Sequence, residues 1–333
     1  MAAPDVAHDV DVWRVARSAG WRGRAFGLDI ESNRRLASVG ERSGTPLART
    51  LELEFEPVRA LKAAFPRGAQ VLVERAPVPG RPRVRVELDA NLGFHIWAPG
   101  FGRYLVARDG TRIRAGVPDR PGIRWERLLL AQPLPLAAVL QGLELFHASA
   151  VRVPAGIVAF VASSGTGKTS AAAHLVAGGA ELVTDDILAV EATADGVIAH
   201  AGGSLLHLSD TEAAVVDAGS NAERLFVLEE RLDKLQFGAQ LSTEPARLVG
   251  LYFLERSRRF EQLAIERISP PSPKLLLSGA FLTYLQLPER LLRQLELCAA
   301  VAATVPTFSV EVPHAFGAAR LAEAVRDHTD SQL

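Results

Sequence analysis

The sequence predicts an α/β domain built on a phosphate-binding loop, preceded by a β-rich α+β domain. Three observations carry this. The stretch "VASSGTGKTSAAAHL", residues 161–175, sets Gly165, Gly167, Lys168 and Thr169 between an apolar run and an Ala-rich run. From about residue 146 the pattern is strand, helix, strand, and before about residue 120 it is short strands of period two. We divide the chain into 1–125, the β-rich N-terminal domain, and 126–333, the phosphate-loop domain.

In the first domain "TLELEFEP", "QVLVERA" and "RVRVELDA" alternate apolar and polar residues, and "GFHIWAPG" and "RYLVARDG" continue the pattern. His95, with Phe and Trp close by, is expected to be a packed sheet residue. "ERLLLAQPLPLAAVLQGLELF" predicts one or two short helices leading into the second domain. There, "HASAVRV" and "IVAFVAS" predict strands, "GKTSAAAHLVAGG" a helix, and "AELVTDDILAVEA" one further strand. "RLVGLYFLER" and "QLAIERIS" predict strands, and "SPKLLLSGAFLTYLQ" and "ERLLRQLELCAAVAATV" show helical spacing. The strand "TFSVEVP" and the helix "AARLAEAVRDH" close the chain.

Composition narrows the function classes. With 37 basic against 38 acidic residues the net charge is −1, which offers no footprint for nucleic acid and no polybasic patch for a membrane. The lone Cys298 excludes an internal disulfide and a thiolate metal cluster, and its apolar neighbours predict a buried thiol. Three Asp in the first eleven residues argue against a secretory signal, and no run of 18 apolar residues occurs; a cytoplasmic protein is expected.

Against the pattern G-x-x-x-x-G-K-[ST], the chain has Ala162 at the first glycine and matches at Gly167, Lys168 and Thr169. Such a loop turns successive N–H groups onto phosphate oxygens, and the following helix presents its positive end to the same anion. The residues expected around a nucleotide are therefore Ala162, Ser163, Ser164, Gly165, Thr166, Gly167, Lys168, Thr169 and Ser170. Lys168 would reach the β- and γ-phosphates of ATP, and the Thr169 hydroxyl would bind Mg²⁺.

Asp185 and Asp186 follow one helix later, inside the apolar run "ELVTDDILAV". Two adjacent acids within a strand need partners to be buried, and Mg²⁺ and a substrate hydroxyl are suitable ones. His147 enters through a hairpin. If Pro154, Ala155 and Gly156 form a three-residue loop and Val153 pairs with Ile157, then His147 falls opposite Ser163, beside the loop.

His147, the loop Ala162–Thr169 and the Asp185–Asp186 pair, at these spacings, together resemble the catalytic half of the HPr kinase/phosphorylase family, whose core is similar to that of phosphoenolpyruvate carboxykinases. The resemblance implies transfer of a phosphoryl group from ATP to a Ser hydroxyl. It implies that the Asp pair supplies a proton acceptor and a metal-side carboxylate, with the metal at Thr169 and Asp186, and that His147 is a further active-site residue. A second basic group, which would neutralise charge on the transferred phosphoryl, is expected at Lys234, with Arg247 as the alternative. Similarity to kinases that accompany peptide-modifying gene clusters implies a peptide or small-protein acceptor, such as the precursor of a modified natural product. Two competing readings stand: a small-molecule kinase, and a nucleotide-binding regulatory or scaffold protein without turnover. Self-association is left open.

Overall fold

The computed structural model describes residues 20–65, 68–76, 83–118, 124–163, 165–208, 225–230, 235–239 and 241–332, with backbone alone at 207, 225–230 and 235–239. By packing the chain divides into two units, Met1–Gly23 with Leu28–Leu36 and Leu47–Gln141, and Arg24–Gly27 with Ala37–Pro46 and Gly142–Leu333. Among the described residues no helix is long and apolar enough to cross a membrane.

Residues 20–141 carry strands β1 (Trp21–Ala25), β2 (Leu28–Ser32), β3 (Gly40–Glu41), β4 (Thr50–Phe55), β5 (Gln70–Arg75), β6 (Val84–Asp89), β7 (Gly93–Ala98), β8 (Gly102–Val106) and β9 (Arg112–Gly116). Helices α1 (Val58–Ala64), α2 (Arg124–Ala131) and α3 (Pro133–Leu140) lie among and after them. In the first unit the strand order runs β2-β4-β9-β8-β7-β6-β5. The strands expected from alternation are all present; Val86 of β6 and Phe94 and Ile96 of β7 are buried in the core, whereas β5 at the sheet edge buries no residue fully. Turns are closed locally, as where the Asp89 carboxylate accepts the N–H groups of Asn91 and Leu92. His95 is packed as expected, 4% exposed, with Nδ1 3.0 Å from Glu87 Oε2 and its ring against Phe65.

The second unit is α/β. Its main sheet runs β10-β14-β15-β19-β12-β11-β13, and β21 adds to β19 and β20 to β21. The strands are β10 (Glu144–Phe146), β11 (Ala148–Val153), β12 (Gly156–Val161), β13 (Glu181–Thr184), β14 (Leu188–Thr193) and β15 (Gly196–His200). After β16 (Leu205–Leu208), β17 (Leu225–Glu230) and β18 (Leu235–Ala239), which form a small separate sheet, come β19 (Ala246–Ser257), β20 (Ala264–Ile268) and β21 (Thr307–Pro313). Helix α4 (Lys168–Ala177) connects β12 to β13. On one face Val151, Val158 and Phe160 pack with the alanines of α4 and with Leu321 and Val325 of the helix Ala318–Gln332. On the other, Ala148, Ala150, Ile157, Ala159 and Val161 meet Leu297, the buried Cys298 and Val301 of the helix Pro288–Thr304. Each fully buried large apolar side chain in these layers stabilises the fold by ~1.5–3 kcal/mol.

Three expectations are corrected. Val153 pairs with Gly156, not Ile157, so the hairpin loop is the two residues Pro154 and Ala155, and the register moves by one. Gly156 reads as a loop residue by composition, yet it joins the ladder because it has no side chain: a Cβ there would lie 2.7 Å from the Arg247 carbonyl oxygen, at a φ of +149°. Next, "AELVTDDILAVEA" is two strands, not one. Beyond β13 the Thr184 hydroxyl donates to the Ile187 carbonyl at 2.9 Å, closing a turn that carries Asp185 and Asp186. Finally, "SPKLLLSGAFLTYLQ" is helical only over Pro273–Ser278, capped by the Ser272 hydroxyl. Its continuation is diverted because residues 279–281 pair with 145–147 instead.

Candidate active site

β12 runs into the loop 162–167, and the loop runs into α4. Gly165 and Gly167 take φ of +83° and +109°, backbone angles that favour glycine. The Thr166 hydroxyl donates to the Ser163 carbonyl at 2.8 Å, tightening the turn. Gly167 is the N-cap of α4, and no side chain caps the helix. The start of α4 therefore presents N–H groups and a positive dipole end toward the loop. Ala162, at the position of the missing glycine, packs against the apolar layer beneath α4.

Lys168 is 7% exposed and its Nζ donates to the Ala162 carbonyl at 3.1 Å. Burial pulls its pKa below the ordinary lysine value, and the charges of Asp186 and Asp185 pull the other way. The two acids differ. Asp185 is buried and accepts from the Ser149 hydroxyl at 3.1 Å, whereas the Asp186 side chain is 62% exposed. His147 Nδ1 stands 3.3 Å from Asp186 Oδ1, and the neighbouring Ala148 N–H donates to the Asp186 carbonyl at 3.1 Å. The two side chains approach without an aligned hydrogen bond, since Nδ1 lacks a hydrogen-bond partner.

The β11–β12 ladder ends at Ala148 paired with Val161, so His147 does not face Ser163. Its N–H instead donates to Gly279 at 2.6 Å, and its ring stacks on Phe281 at 6.1 Å. The turn after β13, adjacent to β11, brings Asp186 to it. Ser164 and Lys234 lie outside the described residues. Arg247, the alternative to Lys234, lies at the opposite end of β19 from the loop: β19 runs parallel to β12, with Leu248 beside Ile157 and Phe253 beside Val161.

The same strand carries, one residue before its end, a residue that sequence reasoning missed. Arg256 Nε donates to the Thr166 carbonyl at 3.0 Å, and Nη1 donates to the carbonyls of Pro313, His314 and Phe316. Its Nη2 faces Gly167, where an added Cβ would lie 3.5 Å away. Burial lowers its pKa. The basic run at Arg256, Arg258 and Arg259 was the available signal, but its nearness to the loop depends on the parallel pairing of β19 with β12.

Among the described residues no three His, Cys, Asp or Glu side chains gather closely enough to hold a metal by themselves. The Thr169 hydroxyl and the Asp pair are hard oxygen donors of the kind Mg²⁺ takes when substrate phosphates and water complete its shell, so they fit that ion.

No family model matches the chain, and no curated protein does. Among solved structures it is similar to the HPr(Ser) kinase/phosphatase from Coxiella burnetii, at 10% identity over 56% of this chain and 97% of that one, with a TM-score of 0.31. A likeness at that score carries no weight on function, and the site is read from its own residues.

Proposed function

We propose that the chain is an ATP-dependent kinase that transfers the γ-phosphoryl group to a Ser hydroxyl of a peptide or small protein. The observation that carries this reading is the convergence of residues distant in sequence. A buried Lys168 at the start of an uncapped helix, both carboxylates of the Asp pair within its electrostatic reach, and His147 against Asp186 all meet at one loop. Anion binding alone would need the loop and the lysine, not the carboxylates and the imidazole.

In this reading the loop N–H groups, the α4 terminus and Lys168 hold the phosphates. The acceptor Ser Oγ attacks the γ-phosphorus as the bond to the β–γ bridging oxygen breaks and ADP leaves. Asp186 accepts the hydroxyl proton, its exposed carboxylate being the one of the pair open to a macromolecular acceptor. His147 steadies that carboxylate. Thr169 and Asp185 would hold Mg²⁺, a shift from the Asp186 expected from sequence, because Asp186 is turned outward toward His147. Bound there, the ion would draw charge from the phosphate oxygens. Arg256 takes the part expected of Lys234: it pins the loop and directs Nη2 to the same anion.

The test is incubation of the protein with Mg·ATP and a Ser-containing peptide library, with phosphoserine read by mass spectrometry. Phosphate on Ser supports the reading. Transfer only to free metabolites would make the protein a small-molecule kinase, and tight ATP binding without transfer would make it a scaffold.

A further inference from the structure

Behind His147 lies a buried charged cluster that the phosphoryl-transfer reading does not use. Arg290, on the helix Pro288–Thr304, is 1% exposed, and its Nε donates to Glu144 Oε2 at 3.1 Å. Glu144 is itself buried and also accepts from Gln294, while Arg293 approaches its other oxygen at 3.5 Å. The rest of the Arg290 guanidinium grips backbone. Nη2 donates to Phe281 O at 2.5 Å, and Nη1 donates to Leu282 O at 2.5 Å and Leu285 O at 3.3 Å. Leu282 takes a φ of +50°, which a leucine rarely adopts, so this turn requires outside support.

The gripped segment is the one that seats His147. Phe281 N–H donates to Leu145 O at 3.0 Å and His147 N–H donates to Gly279 O at 2.6 Å, so residues 279–281 run as a short partner to 145–147. Glu144 begins the same strand three residues before His147. One ion pair thus fixes both sides of the imidazole: the strand that leads to it and the loop whose Phe281 ring stacks on it at 6.1 Å, near parallel at 19°.

We propose that Arg290, anchored by Glu144, is a positioning residue that holds the His147 ring against Asp186. A lysine at 290 keeps the charge but cannot reach three carbonyls in a fixed plane. The proposal rests on the kinase reading for its catalytic consequence, but not for its geometry.

The experiment is a double-mutant cycle of Arg290→Lys and His147→Ala, read by single-turnover phosphotransfer, ATP affinity and proton NMR of the His147 ring, whose signals are assigned by their loss in His147→Ala. Arg290→Lys should lower turnover roughly 10- to 100-fold and change ATP affinity by less than about two-fold. In the His147→Ala background the same substitution should lower turnover no further. The His147 ring signals should shift as the Phe281 ring current is lost. An equal turnover loss in both backgrounds, or unmoved ring signals, would overturn the proposal. If Arg290→Lys fails to fold, Glu144→Gln, which keeps the shape, goes through the same cycle with the same two outcomes. Ring signals that move in a protein showing no phosphotransfer would uphold the positioning role and count against the kinase reading alone.

Discussion

His147 Nδ1 and Asp186 Oδ1 stand 3.3 Å apart, although three strands, a glycine-rich loop and a helix separate them in the chain. The contact exists because β11 pairs with both β12 and β13. The loop that follows β12 and the turn that follows β13 therefore emerge at the same end of the sheet, near the residue that precedes β11.

Asp186→Asn is expected to lower phosphotransfer by about 10²–10⁴-fold, the usual contribution of a proton acceptor, with ATP affinity nearly unchanged. Asp185→Asn should behave differently. It disturbs a buried group bonded to Ser149, so it should lower thermal stability and weaken the dependence of binding on Mg²⁺. Parallel titrations and melting curves of the two variants check this; equal, small effects in both would remove the pair from the mechanism.

Lys168→Met should abolish stabilisation by ATP without destabilising the nucleotide-free protein. Burial is the largest influence on the Lys168 ammonium and disfavours its charged form, so an apolar chain of similar length removes a cost of folding. Thermal melts with and without Mg·ATP are the measurement, and a marked drop in the melting temperature without nucleotide would contradict this account.

Arg256→Lys should weaken ATP binding by about tenfold or more, since hydrogen bonds from a charged donor contribute ~1.5–3 kcal/mol each and the lysine cannot span Thr166 and the carbonyls of Pro313, His314 and Phe316 together. Calorimetric titration reads the change. Unaltered affinity would show that the loop keeps its shape without this brace.

Much of the fold was legible because local pattern sufficed. Period-two strands identify β4–β8 from sequence alone, and an apolar run and an Ala-rich helix on either side of two glycines identify β12 and α4. The misses have physical causes. Gly156 was assigned to the loop by residue type, but lack of a side chain is what lets it pair closely beside Arg247. The Asp pair was placed within a strand because apolar residues flank it on both sides; the turn there is closed by Thr184, with neither glycine nor proline to announce it. Arg256 and Arg290 were not found because their roles depend on long-range pairing that no local pattern encodes. His147 was placed near the loop from a register one residue out, and reaches Asp186 by a different route.

Gly156→Ala tests the hairpin directly. A Cβ there would meet the Arg247 carbonyl oxygen at 2.7 Å and a backbone angle unsuited to alanine, so the variant should lose roughly 1–3 kcal/mol or more. Denaturant unfolding measures it. A neutral substitution would favour the three-residue loop.

Burial holds the His95 imidazole below its ordinary pKa, outweighing the pull of Glu87. The unfolded chain therefore binds this proton at a higher pH than the folded chain, so stability falls as pH drops below about 6.5 toward the folded value. His95→Gln should flatten the pH dependence of the melting temperature in that window, and an unchanged slope would contradict it.

The most direct measurement is single-turnover transfer from γ-labelled Mg·ATP to a Ser peptide by the wild-type protein and by Asp186→Asn at saturating ATP. The account predicts labelled phosphoserine with the wild type and, with the variant, bound ATP but at least a hundredfold slower transfer, of the order expected for a lost proton acceptor. Equal transfer by both proteins, or a wild type that does not bind ATP, would contradict it.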